Sequence, residues 1–289
     1  MEYIAAAVII VLIIGIVLQY LELKKFTVTT YTLPMNDPGR EGERACVGKI
    51  VFLSDLHNHE YGKQNERLLR AIDQIDPDFI VIAGDMLNAK PGASLDKAIG
   101  FIQNLTGKYQ VYYGNGNHEY RLRLYPEKYK DMYWQYKSAL DSAGVHHLEN
   151  KTETIYLNNR KINICGLEID KKYYKRLEKV CMQNDYVESE LGKRKSGYSI
   201  LIAHNPEYFE QYAAWGAQLT LSGHVHGGII RLPKLGGVIS PHLTLFPKYS
   251  GGDYQHNGKH MIVSRGLGMH TIPIRIGNRA ELIVINLET

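Results

Sequence analysis

The sequence predicts an α/β domain of layered sheets and helices, and three observations carry that prediction. Short apolar runs rich in β-branched residues recur along the chain, at residues 50–53, 79–83, 110–113, 199–203, 218–221, 261–263 and 282–286. Segments of helical character separate several of them, at 64–75, 94–105, 127–143 and 206–215. Five successive runs end in Asp, Asn or His. Buried strands alternating with helical segments are the pattern of a sheet with helical cover.

Taken in order, the N-terminal segment stands apart from this pattern. Residues 4–18 are uninterrupted apolar or small, and with their flanks they reach the ~20 residues a helix needs to cross a bilayer core. Residues 3–21 are therefore expected to be one transmembrane anchor. The run is too long for an ordinary core helix. No Lys or Arg precedes it and no A-x-A pattern follows it, so an uncleaved anchor is expected rather than a signal peptide. Lys24 and Lys25 follow directly, with Arg40 and Arg44 farther on, and the positive-inside rule places the body on the cytoplasmic side of the cell membrane. Residues 22–47, Thr-rich and bearing Pro34 and Pro38-Gly39, read as a strand-like lead-in and linker. The folded domain is expected over 48–289. Within it, 152–157 and 161–166 around Asn158-Asn159-Arg160 read as a β-hairpin. The polar stretch 170–195 reads as a surface helix and loop.

Composition narrows the class. Hydrophobic residues make up 44% of the 289 and charged residues 22%, which excludes both a disordered chain and a multi-span membrane protein. A net charge of +4 gives no ground for a nucleic-acid partner. The three cysteines, Cys46, Cys165 and Cys181, cannot build a disulfide framework without leaving one over.

The chemistry sits at the strand ends, where α/β sheets gather their ligands. The first run is followed by Asp55 and His57, the second by Gly84-Asp85, the third by Gly116-Asn117-His118-Glu119, the fourth by His204 and the fifth by Gly223-His224-x-His226. A mixed Asp, His and Asn set suits borderline divalent metals. In Asp55-x-His57 and His224-x-His226 the spacing of two puts both side chains on one side of an extended segment. Two ions ~3.5–4 Å apart would clamp a phosphoryl group, so phosphoester hydrolysis is the reaction this set suits best.

With D-x-H, G-D, G-N-H-E, a single H and G-H-x-H present in that order, the sequence resembles the calcineurin-like metallophosphoesterases. Gly227-Gly228, residues 246–251 and Ser264-Arg265-Gly266-Leu267-Gly268 extend the resemblance to a bacterial, YkuE-type, anchored or exported branch. The resemblance implies a four-layer αββα sandwich with two divalent ions (Mn, Fe or Zn). It gives Asp55, His57 and His226 to one ion, Asn117, His204 and His224 to the other, and Asp85 to both. It makes His118 the catalytic acid facing the substrate, with a metal-bridging hydroxide as nucleophile. One position departs from the pattern. Asn88 stands where many members carry an Asp that orients the histidine, which implies a weaker proton source.

The expected function is hydrolysis of a phosphomonoester, phosphodiester or pyrophosphate. The anchor favours a lipid-linked substrate, by similarity to the UDP-diacylglucosamine pyrophosphatases of the same superfamily. The alternative is a non-catalytic scaffold of the same fold that binds protein. His59 and His270 are further candidates for substrate contact. The tyrosines at 125, 129, 133 and 136 are expected to pack an amphipathic helix, and Lys193-Arg194-Lys195 to form a solvated loop.

Overall fold

The structure is a computed structural model that describes residues 2–35, 46–175, 180–240, 244–269 and 273–289. Arg40, Arg44 and His270, on which sequence expectations fall, lie outside the described residues. Two six-stranded sheets form the body. The first runs in the order β1 (Phe26–Pro34), β14 (Ala280–Glu288), β2 (Cys46–Leu53), β3 (Phe79–Ile82), β4 (Val111–Tyr113), β5 (His146–His147). The second runs β12 (Gly252–His256), β13 (Lys259–Val263), β9 (Leu219–Ser222), β8 (Tyr198–Ala203), β7 (Arg160–Leu167), β6 (Lys151–Leu157). The central strands are parallel in both, β2 through β5 in one and β7, β8, β9 and β13 in the other. A small antiparallel ribbon, β10 (Ile230–Leu232) and β11 (Gly236–Ile239), stands outside them.

Side-chain alternation builds the layers. Along β2, Ile50 and Phe52 face the second sheet, meeting Ile164, Ile200, Ile202 and Leu221, whereas Val51 and Leu53 face helices. Those helices are α2 (Glu66–Ile75), α3 (Asp96–Thr106), α4 (Asn117–Leu124), α5 (Pro126–Tyr129) and α6 (Met132–Ser142). They bring Ile72, Phe101, Leu122, Tyr129 and Tyr136 into that layer. On the far side α7 (Tyr186–Leu191) and α8 (Phe209–Trp215) cover Leu167, Leu201 and Ala203 with Val187 and Tyr212. The result is a helix, sheet, sheet, helix sandwich. With both faces of each sheet buried, the central strands must read as unbroken apolar runs, which is why they stand out in the sequence.

Two expectations are corrected. Residues 26–34, read as a strand-like lead-in within the 22–47 linker, are a strand and belong to the folded body, as an edge strand paired with β14 from Phe26↔Ala280 to Pro34↔Glu288. The strand is legible in hindsight, because Leu33 points into the core and Pro34 ends the row, where a missing N–H costs little. The expected helix over 127–143 is two, because Lys130 takes φ 53° between α5 and α6. The hairpin stands as expected, with Asn158 and Asn159 at φ 47° and 63°, the left-handed pair that closes a tight two-residue turn.

The N-terminal segment is one continuous helix, α1 (Glu2–Leu23). Counted over the described residues alone, no helix is long and apolar enough to cross a membrane. The anchor therefore stays a reading of the full sequence, in which the run is unbroken from 4 to 18.

Candidate metal centre

The parallel strands β2, β3 and β4 of one sheet and β8 and β9 of the other deliver their loops to a common edge. Backbone bonds lace these loops together, Asp55 N–H to Gly84 O and His57 N–H to Asp85 O at 3.0 Å, and Gly223 N–H to His204 O at 3.0 Å. Asp55, His57, Asp85, His224 and His226 all sit at positive φ, between 49° and 71°. That conformation costs a side-chain-bearing residue about 1–3 kcal/mol, and its clustering at one place marks a functional site. Glycine is required where the loops touch. A Cβ on Gly84, itself at φ 76°, would lie 1.9 Å from Gly116 N, and one on Gly223 would lie 2.3 Å from Asp55 Oδ2.

The loops bring all seven candidate ligands together. His57 Nε2 lies 3.1 Å from His226 Nε2, and His226 Nε2 lies 3.3 Å from Asp55 Oδ1. His204 Nε2 lies 3.2 Å from Asp85 Oδ2, and His224 Nδ1 lies 2.7 Å from Asn117 Oδ1. Asp55, His57 and His226 form one group whose ligand atoms are all within 4.8 Å of one another, and Asp85, His204 and His224 form another. Two donor atoms ~2.1 Å from one ion at right to tetrahedral angles are about 3.0–3.4 Å apart, so the spacings of His57, His226 and Asp55 and of His204 and Asp85 fit metal coordination, while His224 and Asn117 are at hydrogen-bond distance. Except for Asn117 and His224, which are at the rim, the set is at most 4% exposed.

The outer ring nitrogens separate two kinds of histidine. His57 Nδ1 donates to Leu87 O (3.3 Å) and His204 Nδ1 to Ala83 O (2.5 Å), so in the neutral form of each ring the lone pair is on Nε2 and faces the carboxylates. A backbone carbonyl behind the ring is the usual device for presenting a metal ligand. His118 is wired the other way. Its Nδ1 accepts the Ala89 N–H at 2.9 Å, so Nε2 carries the proton and presents a donor, 3.9 Å from Asp85 Oδ2. This overturns the expected role of Asn88, whose amide donates to His57 O at 2.8 Å and leaves His118 to its neighbour's backbone.

Asp85 is held from both ends. One oxygen accepts the His118 N–H at 2.8 Å, where α4 begins, and the other faces His204, His57 and His118. Burial alone would raise the Asp85 carboxyl, but the facing rings overcome it and hold it well below the usual range. Burial pushes Asp55 up to about 6 against the opposing pull of His204. His204 is pushed up to about 10, because Asp85 and Asp55 face it more strongly than burial penalises its charge. Burial holds His118 below its ordinary value against the pull of Asp85.

Glu119 lies wholly inside. Its carboxylate accepts N–H bonds from Asp85 (2.8 Å), Met86 (2.9 Å) and Gly116 (3.0 Å) and the Tyr113 hydroxyl at 2.8 Å. It therefore ties the Asp85 loop to the start of α4, and burial beside Asp85 raises it to about 7. Two supporting residues carry no motif in the sequence. Ser54 Oγ donates to Asp55 Oδ2 at 2.7 Å. Arg275, buried, donates to the carbonyls of Arg265, Gly266 and Gly268, and Gly268 N–H in turn bonds Asp55 O at 2.6 Å. His59 packs edge-on against Tyr61 and belongs to none of the ligand groups. Arg194 folds back onto the carbonyls of Lys195 and Gly197, as a loop residue does.

Comparison with known proteins meets this geometry. The chain is 29% identical over 252 residues to the uncharacterized metallophosphoesterase YkuE of Bacillus subtilis, covering 83% of this chain and 79% of that protein. It is 24% identical over 248 residues to the phosphodiesterase YaeI of Escherichia coli, covering 85% and 84%. It is 26% identical over 247 residues to a transmembrane protein with metallophosphoesterase domain from Danio rerio, covering 83% and 53%. The model of the calcineurin-like phosphoesterase family matches residues 48–228, the span that holds every ligand candidate, and the chain belongs to that family, in its YkuE-type branch.

Proposed function

We propose that this chain hydrolyses phosphoesters at a centre of two divalent ions, Mn, Fe or Zn. Asp55, His57 and His226 hold one ion, Asn117, His204 and His224 the other, and Asp85 serves both. The observation that carries this reading is the convergence of Nε2 of His57, His204 and His226 on two carboxylates, with the outer nitrogens of His57 and His204 bound to backbone carbonyls. When bound, such ions supply a nucleophile at neutral pH and positive charge against the phosphoryl oxygens.

The remaining work falls to the chain itself. Asp85, anchored by the His118 N–H, keeps one oxygen turned inward without having to reorganise. His118, neutral by burial, offers its Nε2–H as a hydrogen bond to a phosphoryl oxygen and to the negative charge that develops on the leaving oxygen. Glu119 keeps the two loops in register. All seven ligand positions keep side chains able to bind metal, and nothing among the described residues favours a non-catalytic scaffold.

The same proposal includes the anchor. Ile9, Ile10, Ile13, Ile14, Ile16 and Val17 of α1 are 49–69% exposed rather than packed on the core, and an apolar surface of that extent needs another cover. A bilayer is that cover, with Lys24 and Lys25 placing the body on the cytoplasmic side. The name of the Danio rerio relative supports the same reading. A membrane-held site suits a phosphoester or pyrophosphate carried on a lipid. The test is metal analysis of the full-length chain in detergent, with a hydrolysis screen of soluble and lipid-linked mono-, di- and pyrophosphate esters. Two ions and turnover of one class are expected. A chain that binds no divalent metal under any loading condition contradicts the proposal.

A further inference from the structure

We infer that the β10–β11 ribbon docks on the surface of an anionic lipid bilayer beside α1 and so seats the metal centre against the membrane. The inference rests on reading α1 as the anchor. It starts from a row of aliphatic side chains across the ribbon. Ile276 pairs with Ile230, Ile230 with Ile239, and Ile239 with Leu245. Residues directly opposed on neighbouring strands share a face, so the four make one continuous stripe. Its ends are open, Ile276 at 51% and Leu245 at 65% exposure, and Leu235 at the ribbon turn and Phe246 beside Leu245 are 67% and 63% exposed.

The distribution of such residues points the same way. Among the described residues, large apolar side chains that are exposed fall into two groups, one in α1 and one between 232 and 276, and only Val28, Leu124, Trp134 and Tyr156 lie elsewhere. The two groups adjoin. Gln19, near the end of α1, sets its amide 3.0 Å from Arg275 N and 3.2 Å from Arg275 O, a contact that pairs donor with acceptor when the amide is turned over, and Glu22 pairs with Arg279. The stripe therefore begins at the segment that the last turn of the helix touches, which is the level where a membrane helix leaves the hydrocarbon. Lys24 and Lys25, the latter 3.8 Å from Glu22, follow the end of α1, and Lys234 is exposed at the ribbon turn, so both regions carry positive charge complementary to an anionic lipid surface. A second copy of the chain would have to match both the stripe and the end of α1. A bilayer matches them together.

The docking bears on the metal centre through one short segment. β10 begins four residues after His226, and Asn278 donates to His226 O at 2.6 Å and to Gly228 O at 2.5 Å. The segment 276–278 thus carries one end of the stripe and also holds the backbone of a ligand. A surface seated there brings the site within reach of a phosphate at headgroup depth, the position a lipid-linked substrate presents.

The test uses the full-length chain in vesicles of phosphatidylcholine and phosphatidylglycerol with brominated acyl chains. Wild type, with Trp134 and Trp215, sets the baseline quenching. Leu235→Trp and, separately, Phe246→Trp should each show about twofold more quenching than wild type, and the excess should shrink when phosphatidylglycerol is left out. A chain that sediments with the vesicles and shows no excess quenching in either variant overturns the docking and leaves the anchor standing. A chain that stays in the supernatant overturns both readings. Excess burial of the new tryptophan that follows protein concentration and not lipid assigns the stripe to a second copy, and also overturns the inference.

Discussion

His204 and His118 face the same oxygen of Asp85, at 3.2 and 3.9 Å, yet they are wired in opposite senses. Behind His204 stands a carbonyl, which fixes a proton on the outer nitrogen and, once the ring is neutral, leaves the lone pair facing inward. Behind His118 stands an N–H, which takes the outer lone pair and turns a proton inward. Distance to the carboxylates does not separate these two rings. The backbone group on the far side does, leaving one with an inward lone pair when neutral and the other with an inward N–H.

The most drastic way to break the comparison is to remove the carboxylate both rings face. Asp85→Ala should lower metal affinity by more than ~100-fold, beyond the 10–100-fold typical of outer partners. It should also abolish turnover, as metal analysis and a phosphodiester assay would show. A variant that keeps two ions would mean that Asp85 does not serve both.

Protons sharpen the same distinction. Without metal, His204 keeps its proton up to about 10, and only the neutral ring binds metal, so loading must displace that proton. Below that value metal affinity should therefore rise with pH, by about tenfold per unit between about pH 6 and 9 for one displaced proton. Titration calorimetry in buffers of different ionisation enthalpy would count the protons. An affinity independent of pH across that window would contradict the assignment.

Asn88 tests the wiring from outside. Because its amide supports the His57 carbonyl and does not touch His118, Asn88→Ala should cost about tenfold in metal affinity, the lower end for an outer partner. The dependence of kcat on leaving-group pKa should stay as in wild type. A steeper dependence with intact metal content would show that Asn88 acts on the acid after all.

The smallest effect expected lies away from the centre, in His147, which burial depresses to about 3, with Lys137, Lys151 and Arg123 adding to the shift. The unfolded chain takes up that proton near pH 6.5 and the folded one does not, so stability should fall as pH drops from about 6.5 toward 3. The slope is at most ~1.4 kcal/mol per pH unit. His147→Gln should flatten this part of the urea-denaturation profile between pH 7 and 5. An unchanged profile would mean that another group titrates there.

What was legible in the sequence, and what was not, follows from which atoms do the work. The central strands are readable because burial on both faces demands unbroken apolar runs such as Phe79-Ile80-Val81-Ile82. The loops after them are readable because side chains supply the donors. The wiring behind the rings is not, since Ala83 O, Leu87 O and the Ala89 N–H are backbone groups that any residue would provide. Arg275 is hidden for a related reason, as its guanidinium donates to four carbonyls and no motif marks them. β1 reads as strand-like but not as part of the sheet, because half of it faces outward and alternates Thr with apolar residues, a pattern that does not show the partner β14 far along the chain.

That one inward-facing histidine is a hydrogen-bond donor among the proposed ligands is tested most directly by metal content measured together with turnover in the His118→Asn variant. Two divalent ions per chain, as in wild type, with kcat lowered by ~10²–10⁴, is the predicted result. Loss of metal in step with activity would contradict it, and would make His118 a ligand like the rest.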